Sequence, residues 1–294
     1  MRTTRRRRAF TLIEMLTSMA VLAILVVILA QSIGMVSNAW RAGKARIDNF
    51  SQARLALSLL DRDLQSAILR RDLAVFFDKN GDPACAFYTE MRGGEGNRRV
   101  SLVRYFLDTT TEPDNPTLKR DDFGLNYESG ADARTLTLGV TDELPDLPDL
   151  ADAALTANTV AEGVLAFNWQ FLTNDGSLLT AEEVLAANRV PVEGSDSETQ
   201  GVYFNFNDPD FDKNIRALVI SVVILDGGTT RLAEELEVVD NLLTAFQVVP
   251  EPGETYAEAW QDEVDAMQTS SEIPVLVQRS IRVFERTVKL PLNL

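Results

Sequence analysis

Residues 5–33 read RRRRAFTLIEMLTSMAVLAILVVILAQSI, a block of four arginines followed by a long apolar segment. Its apolar run, Met15–Ile33, has no formally charged residue. As an α-helix with a rise of about 1.5 Å per residue, the run spans roughly 28 Å, close to the hydrocarbon thickness of a bilayer. The arginines before it place the N-terminus in the cytoplasm by the positive-inside bias. The sequence therefore predicts a single-pass inner-membrane protein whose remaining residues lie in the periplasm.

Three kinds of N-terminal segment fit a basic start followed by an apolar run. A secretory signal peptide has a shorter run of about 7–15 residues, although Ile28-Leu29-Ala30 offers a weak cleavage site. A plain signal anchor explains the length and the charge but leaves Glu14 unexplained. An acid costs on the order of 2.5–3.5 kcal/mol at the centre of a membrane helix, and less near the interface. Glu14 therefore favours a third kind of segment, one in which the acid has a partner.

Arg8-Ala9-Phe10-Thr11-Leu12-Ile13-Glu14 before an apolar helix resembles the class III signal of type IV pilins and type II secretion pseudopilins. The resemblance implies that prepilin peptidase cuts between Ala9 and Phe10, and that the new amino group of Phe10 is N-methylated. It also gives Glu14 the role of the glutamate at the fifth mature position. Ala9 departs from the usual glycine before the cut, and a small residue still fits there.

The physical role of Glu14 follows from this resemblance. A carboxylate without a cation is strongly disfavoured once apolar helices pack together outside the bilayer. The N-terminal amine of a neighbouring subunit can neutralise Glu14, which would set one axial register between subunits. The alternative is an acid near the lipid headgroups that stays hydrated.

The composition limits the remaining functions. The chain has 294 residues and a net charge of −16. Residues 1–9 contain five arginines and no acid, so their removal leaves 23 basic and 44 acidic residues, a net charge of −21. Such an acidic domain argues against binding nucleic acid or anionic lipid.

Histidine is absent, which excludes Ser-His-Asp and Cys-His catalysis and histidine-containing metal sites. The single Cys85 cannot form an internal disulfide, and we interpret it as a small buried side chain. We interpret Trp40, Trp169 and Trp260 as core or interfacial aromatics. No nucleophile motif or phosphate-binding loop is present, so we expect no enzymatic activity and no cofactor.

An amphipathic helix is predicted to continue from the apolar run to about Leu73. Its apolar stripe recurs at steps of three and four residues and comprises Phe50, Ala53, Leu57, Leu60, Leu64 and Ala67/Ile68. We expect a leader at residues 1–9, a membrane and filament helix at 10–35, an amphipathic helix at 36–75 and a β-rich globular domain at 76–294. The predicted fold class is α+β, with the long helix packed on an antiparallel sheet.

Residues 53–65, 162–171 with Asp175-Gly176, and 216–220 resemble stretches of the minor pseudopilin J family. A related interpretation is a lineage-specific pilin-like cassette protein of the same build. Residues after Gly228 match neither.

Strands are expected at Val100–Leu107, Thr135–Thr141, Leu165–Phe171, Gly201–Phe206 and Ala217–Leu225. Period-two alternation over Leu165–Phe171 predicts one buried and one wetter face, whereas Ala217–Leu225 should be covered on both. Long acidic loops are expected at 108–130, 142–158 and 175–200. After Gly228, apolar residues recur at helical spacing and predict a helix. A second helix is expected at Ala257–Met267, and one or two closing strands are expected over Val275–Leu290.

One stretch has the spacing of a calcium loop, because oxygen ligands occupy alternate positions at Asp208, Asp210, Asp212 and Asn214. The downstream bidentate glutamate is missing, so an exposed acidic turn is the alternative. Asp78, Asn80 and Asp82 form a second partial loop, in which Pro83 replaces the required glycine.

The sequence thus predicts a minor pseudopilin of a type II secretion-type or related apparatus. Its expected partners are other pilin-like subunits, prepilin peptidase and the inner-membrane assembly platform. A minor type IV pilin for adhesion or DNA uptake shares the N-terminal residues. A membrane-anchored hydrolase or ligand-binding domain is a third hypothesis, although it would need a site that the sequence does not display.

Overall fold

The computed structural model describes residues 12–68, 76–78, 84–91, 99–124, 157–180, 183, 202–203, 215–268 and 273–290. The chain divides into two compact units, Met1–Ile47 and Asp48–Leu294. Helix α1, Leu12–Gln65, has 54 residues and belongs to both units. The predicted α+β class, with a long N-terminal helix followed by antiparallel sheets, is confirmed.

Helix α1 ends at Gln65, so the expected end near Leu73 is wrong. Ala67 forms a bridge with Thr89, and the Ile68 N–H donates to the Tyr88 carbonyl at 2.8 Å. The Glu90 N–H donates to the Ser66 carbonyl at 2.9 Å. Pairing with a strand therefore replaces the helical hydrogen bonds after Gln65, which helical periodicity alone could not reveal.

Six of the described strands form one antiparallel sheet, here called sheet A, in the order β5-β4-β3-β2-β1-β8. Their bounds are β1 Phe76–Asp78, β2 Ala84–Thr89, β3 Ser101–Asp108, β4 Thr117–Gly124, β5 Asn158–Glu162 and β8 Val202–Tyr203. Strand β3 confirms the expected strand at Val100–Leu107. Strand β4 contradicts the long loop expected from 108 to 130, because its charged residues pair in register with β3.

Four further strands form sheet B, in the order β10-β9-β6-β7. They are β6 Val164–Thr173, β7 Leu178–Thr180, β9 Ile215–Ile224 and β10 Arg282–Lys289. The short strand β7 lies inside the loop expected at 175–200, after the turn at Gly176.

Gly163 is the joint at which the chain leaves sheet A and enters sheet B. Its φ is +65°, and its carbonyl accepts a 2.7 Å hydrogen bond from the Leu225 N–H. A Cβ at this position would lie 2.7 Å from the Leu225 carbonyl oxygen. Only glycine fits both the left-handed backbone and this close approach.

One hydrophobic core, the first core, unites α1 with both sheets. Its helix residues are Ala53, Ala56, Leu57, Leu60 and Leu64, and they contact β-strand residues such as Phe87, Tyr105, Phe167 and Ile220. These contacts confirm the predicted apolar stripe from Ala53 onward. The side chain of Phe50 lies outside the described ones.

A second core lies on the other face of sheet B, under helices α2 Gly227–Glu235, α3 Val239–Ala245, α4 Tyr256–Met267 and α5 Val275–Gln278. The wetter face expected for Leu165–Phe171 is therefore wrong. A bulge between Val164 and Ala166 turns Leu165 toward these helices. Gln170 is buried on the same side, where its amide binds the Glu254 carbonyl and the Tyr256 N–H.

The C-terminal expectations are confirmed in part. Helix α4 matches the expected helix at Ala257–Met267, and β9 is buried on both faces as expected for Ala217–Leu225. Residues 275–278 are a short helix, so the closing strand begins only at Arg282. The expected strand at Thr135–Thr141 lies outside the described residues, as does most of Gly201–Phe206. Of the loop expected at 142–158, only residues 157 and 158 are described, and Asn158 already begins β5.

Candidate assembly site

The apolar part of α1, Leu12–Ser37, has 26 residues and is long and apolar enough to cross a membrane, and none of its most apolar window is buried. Its hydroxyl groups bind carbonyls of the preceding turn, from Thr17 to Ile13 at 3.0 Å and from Ser32 to Ile28 at 2.9 Å. Because these hydroxyls are satisfied inside the helix, the segment suits a hydrocarbon or apolar protein environment. Its length and composition are those of a membrane anchor.

Glu14 lies in the first turn of α1, at one end of this apolar segment. The partial positive charge of a helix N-terminus favours an acid at this position. Ala9 and Phe10, the predicted cleavage and methylation site, lie outside the described residues. The structure therefore shows where Glu14 lies but does not test the predicted cleavage between Ala9 and Phe10.

The structure does not test the calcium hypotheses. Asp208, Asp210, Asp212 and Asn214 lie outside the described residues, as do Asn80 and Asp82. Asp78 ends β1, opposite Ala84. Among the described residues, no group of three or more acidic or cysteine side chains could hold a metal ion.

Sequence reasoning missed a buried ionic cluster around Asp63 in α1, whose side chain has no exposed surface. Asp63 Oδ2 accepts hydrogen bonds from the Tyr105 hydroxyl and from Arg120 Nε, both at 2.7 Å. Arg120 also contacts Asp122 at 3.2 Å. One signal was available, because Asp63 follows Leu60 by three residues and thus lies in the apolar stripe.

The electrostatics of the cluster show that Asp63 and Arg120 act as a pair. Burial lowers the pKa of the Arg120 guanidinium, but the hydrogen bond and charge of Asp63 outweigh burial and raise that pKa overall. Burial, and then the negative charge of Asp63, raises the pKa of the Tyr105 hydroxyl well above its usual range. The cluster therefore stays ionised at Arg120 and protonated at Tyr105, which fastens α1 to sheet A.

A neighbouring acid of α1 fastens the helix to sheet B. Asp61 forms a hydrogen-bonded ion pair with Arg286 of β10. Asp61 and Asp63 thus reach different sheets from adjacent positions on the last helical turns. The arrangement holds α1 in place, and Asp63 has no exposed surface from which to meet a substrate.

A second buried ion pair stabilises the β3–β4 hairpin. Lys119 Nζ lies 2.8 Å from Asp108 Oδ2, while Asp108 Oδ1 accepts hydrogen bonds from the N–H groups of Thr110 and Thr111. Burial raises the pKa of the Asp108 carboxyl, but Lys119 and the loop donors outweigh it and hold the pKa well below its usual range. Asp108 is therefore a charged loop cap.

The interpretations of Cys85, Trp169 and Trp260 fit the structure. Cys85 is buried in the first core, and burial raises the pKa of its thiol above the usual range. Trp169 and Trp260 are buried in the first and second cores, respectively. Trp40 is exposed on α1.

Comparison with known protein families finds a match at the N-terminus. The sequence model of the family described as "Prokaryotic N-terminal methylation motif" matches residues 4–30. The match includes Ala9, Phe10 and Glu14 and continues into the exposed part of α1. No curated protein matches the chain. The match supports the motif and not the finer assignment to pseudopilin J, which remains a prediction.

The methylation motif and the apolar helix are continuous in the sequence. The motif indicates a type IV pilin-like protein that prepilin peptidase processes and that assembles with other pilin subunits. The chain thus carries a prokaryotic N-terminal methylation motif that leads directly into an anchor helix.

Proposed function

We propose that this protein is a structural pseudopilin, a minor subunit of a type II secretion-type or related pilus-like apparatus. The observation that carries the proposal is the continuity of the methylation motif at 4–30 with an apolar helix that its own fold does not bury. The protein acts by assembly, without catalysis and without a cofactor.

The exposed helix requires two environments in turn. Its most apolar window has no buried residue, so lipid must cover it before assembly. We place the N-terminus in the cytoplasm and the globular domain in the periplasm, because the basic residues precede the helix. After processing, the helices of neighbouring subunits replace lipid as the apolar surroundings.

Glu14 sets the register in that helical bundle. An ionised carboxylate in apolar surroundings requires a nearby cation, and methylation leaves the amine of Phe10 able to carry one. The amine of one subunit and Glu14 of its neighbour therefore form the intersubunit pair. The anchoring of α1 through Asp61 and Asp63 carries the globular domain along when the assembly platform extracts the helix.

The first experiment is mass spectrometry of the N-terminus after coexpression with prepilin peptidase. We expect loss of residues 1–9 and one methyl group on Phe10. Ala9→Trp should block the cut, whereas the matched substitution Ala30→Trp should leave it unchanged. An intact wild-type N-terminus, or a cut after Ala30, would contradict the proposal.

A second experiment measures incorporation of Glu14 variants into sheared filaments. Glu14→Ala and the isosteric Glu14→Gln should both reduce incorporation while the thermal unfolding of the globular domain stays unchanged. Glu14→Asp serves as the control that keeps the charge. Full incorporation of Glu14→Gln would contradict the charge-pairing role.

A further inference from the structure

One exposed face of α1 carries a basic surface in this acidic chain. Arg54, Ser58 and Arg62 follow one another at intervals of four residues, and Leu55 lies beside them. All four residues are exposed, Leu55 by 62% and the Arg62 side chain by 58%. We call these four residues the α1 ridge. Arg62 lies 3.4 Å from the buried Asp63 Oδ1 but keeps most of its side chain in solvent, and Arg286, paired with Asp61, adds a further cation at the edge of the ridge.

The helices over sheet B carry the opposite charge. Residues 227–268 include ten acids and a single cation, Arg231. We call this surface the acidic layer. Its most exposed acids are Glu234, Glu235, Glu237, Asp240, Glu251, Glu258, Asp262 and Asp265.

The two surfaces lie on opposite sides of sheet B. Helix α1 packs against one face of the sheet in the first core, and the ridge points away from that core. Helices α2–α4 pack against the other face in the second core. The ridge and the acidic layer therefore cannot neutralise each other within one subunit.

We propose that the α1 ridge of one subunit docks on the acidic layer of a second copy of this chain. The inference rests on the proposed function, because it concerns adjacent subunits of one assembly. Complementary charges at such a contact fix partner and orientation more than they add affinity. A contact between two different surfaces is heterologous, and it extends into an open helical array when the rotation does not close. Such a contact sets two copies of this minor subunit next to each other within the assembly.

Cysteine cross-linking tests the contact directly. The only native cysteine, Cys85, is buried, so an introduced surface cysteine is selectively reactive. Full-length Ser58→Cys protein, with the cysteine on the ridge, is mixed with Gln261→Cys protein, with the cysteine on α4. Both are coexpressed with prepilin peptidase, reconstituted in phosphatidylcholine vesicles and treated with a bifunctional maleimide. We expect the mixed dimer to exceed either self-linked dimer.

Charge reversal then tests the cause of the contact. Arg54→Glu with Arg62→Glu should lower the mixed product about tenfold at low salt. Arg99→Glu with Arg216→Glu changes two other exposed arginines by the same charge and should leave the yield unchanged. Adding Glu258→Lys and Asp262→Lys to the acidic layer of the partner should restore the product.

Several outcomes would overturn the inference. A mixed product no greater than the self-linked ones, or one insensitive to the reversal, removes the contact. A dominant product between two Ser58→Cys copies indicates a symmetric ridge contact instead. An effect confined to vesicles that contain phosphatidylglycerol assigns the ridge to anionic headgroups. Mass spectrometry of the same samples separates this inference from the proposed function, because processed and methylated protein without cross-links contradicts only the docking contact.

Discussion

Two stretches of the same helix differ in what surrounds them. Between Leu12 and Ser37, α1 is apolar and its most hydrophobic window is unburied. Between Ala53 and Leu64, it places one stripe in a core shared with both sheets and holds Asp63 in a buried ionic cluster. The first stretch needs partners outside its own fold, whereas the second has its partners within it. Changes in the two stretches should therefore affect different measurements.

The largest expected effect concerns the exposed stretch. Val21→Arg with Leu25→Arg should cost about 2.5–3.5 kcal/mol of insertion free energy for each arginine. The unfolding of the globular domain should not change. Membrane integration is measured by carbonate extraction and domain stability by urea unfolding. Ser51→Arg with Leu55→Arg, exposed residues of the same spacing, is the control and should insert normally.

Asp63→Ala tests the buried stretch of α1, from Ala53 to Leu64. It leaves Arg120 and the Tyr105 hydroxyl without their shared acceptor, so the free energy of unfolding should fall by about 3–5 kcal/mol. Fluorescence of the buried tryptophans during urea unfolding gives the change, and membrane integration should stay normal. Arg54→Ala, at an exposed position of the same helix, should cost within about 0.5 kcal/mol. Equal stabilities of the two variants would contradict the anchoring role of Asp63.

Gly163→Ala tests the joint between the sheets. Its left-handed φ and the approach of the Leu225 carbonyl should together cost about 2–3 kcal/mol of unfolding free energy. Gly176 has a φ of +90° but open space where a Cβ would lie. Gly176→Ala should therefore lower the free energy of unfolding by only about 1 kcal/mol. The difference between the two variants measures the close approach alone. Thermal or urea unfolding of both variants supplies it.

Asp108→Asn should give the smallest loss of unfolding free energy, and that loss should depend on pH. Because its pKa is lower in the folded state, Asp108 contributes stability above its unfolded pKa of about 3.9 and loses that contribution as pH falls through the folded pKa. The variant should lose about 1.5 kcal/mol at pH 7, and the difference from wild type should shrink below about pH 3.9. Urea unfolding across that range measures it. Asp114→Asn, which changes an exposed acid of the same loop, is the control and should leave the free energy of unfolding at pH 7 nearly unchanged.

Predictions from local sequence patterns succeeded where a pattern is compatible with only one kind of secondary structure. Hydrophobic spacing located the stripe from Ala53 to Leu64, and a continuous apolar run identified β9 as a central strand. The pattern misled where distant residues changed its meaning. The charges of β4 suggested a loop because Asp63, the partner of Arg120, lies 57 residues earlier in the chain, and Asp108 meets Lys119 only once the β3–β4 hairpin has formed. The polar residues of β6 suggested a wet face because the covering helices come last in the chain.

The sequence alone determined the processing motif, the anchor helix and the α+β class, because charge, length and periodicity are local properties. Only the tertiary structure decided where α1 ends, how Gly163 passes the chain between sheets and why Asp63 is buried. It also separated the basic ridge from the acidic layer on opposite sides of sheet B. Each of these features depends on contacts between residues distant in the chain, and the local pattern carried only one signal of them, the position of Asp63 in the apolar stripe.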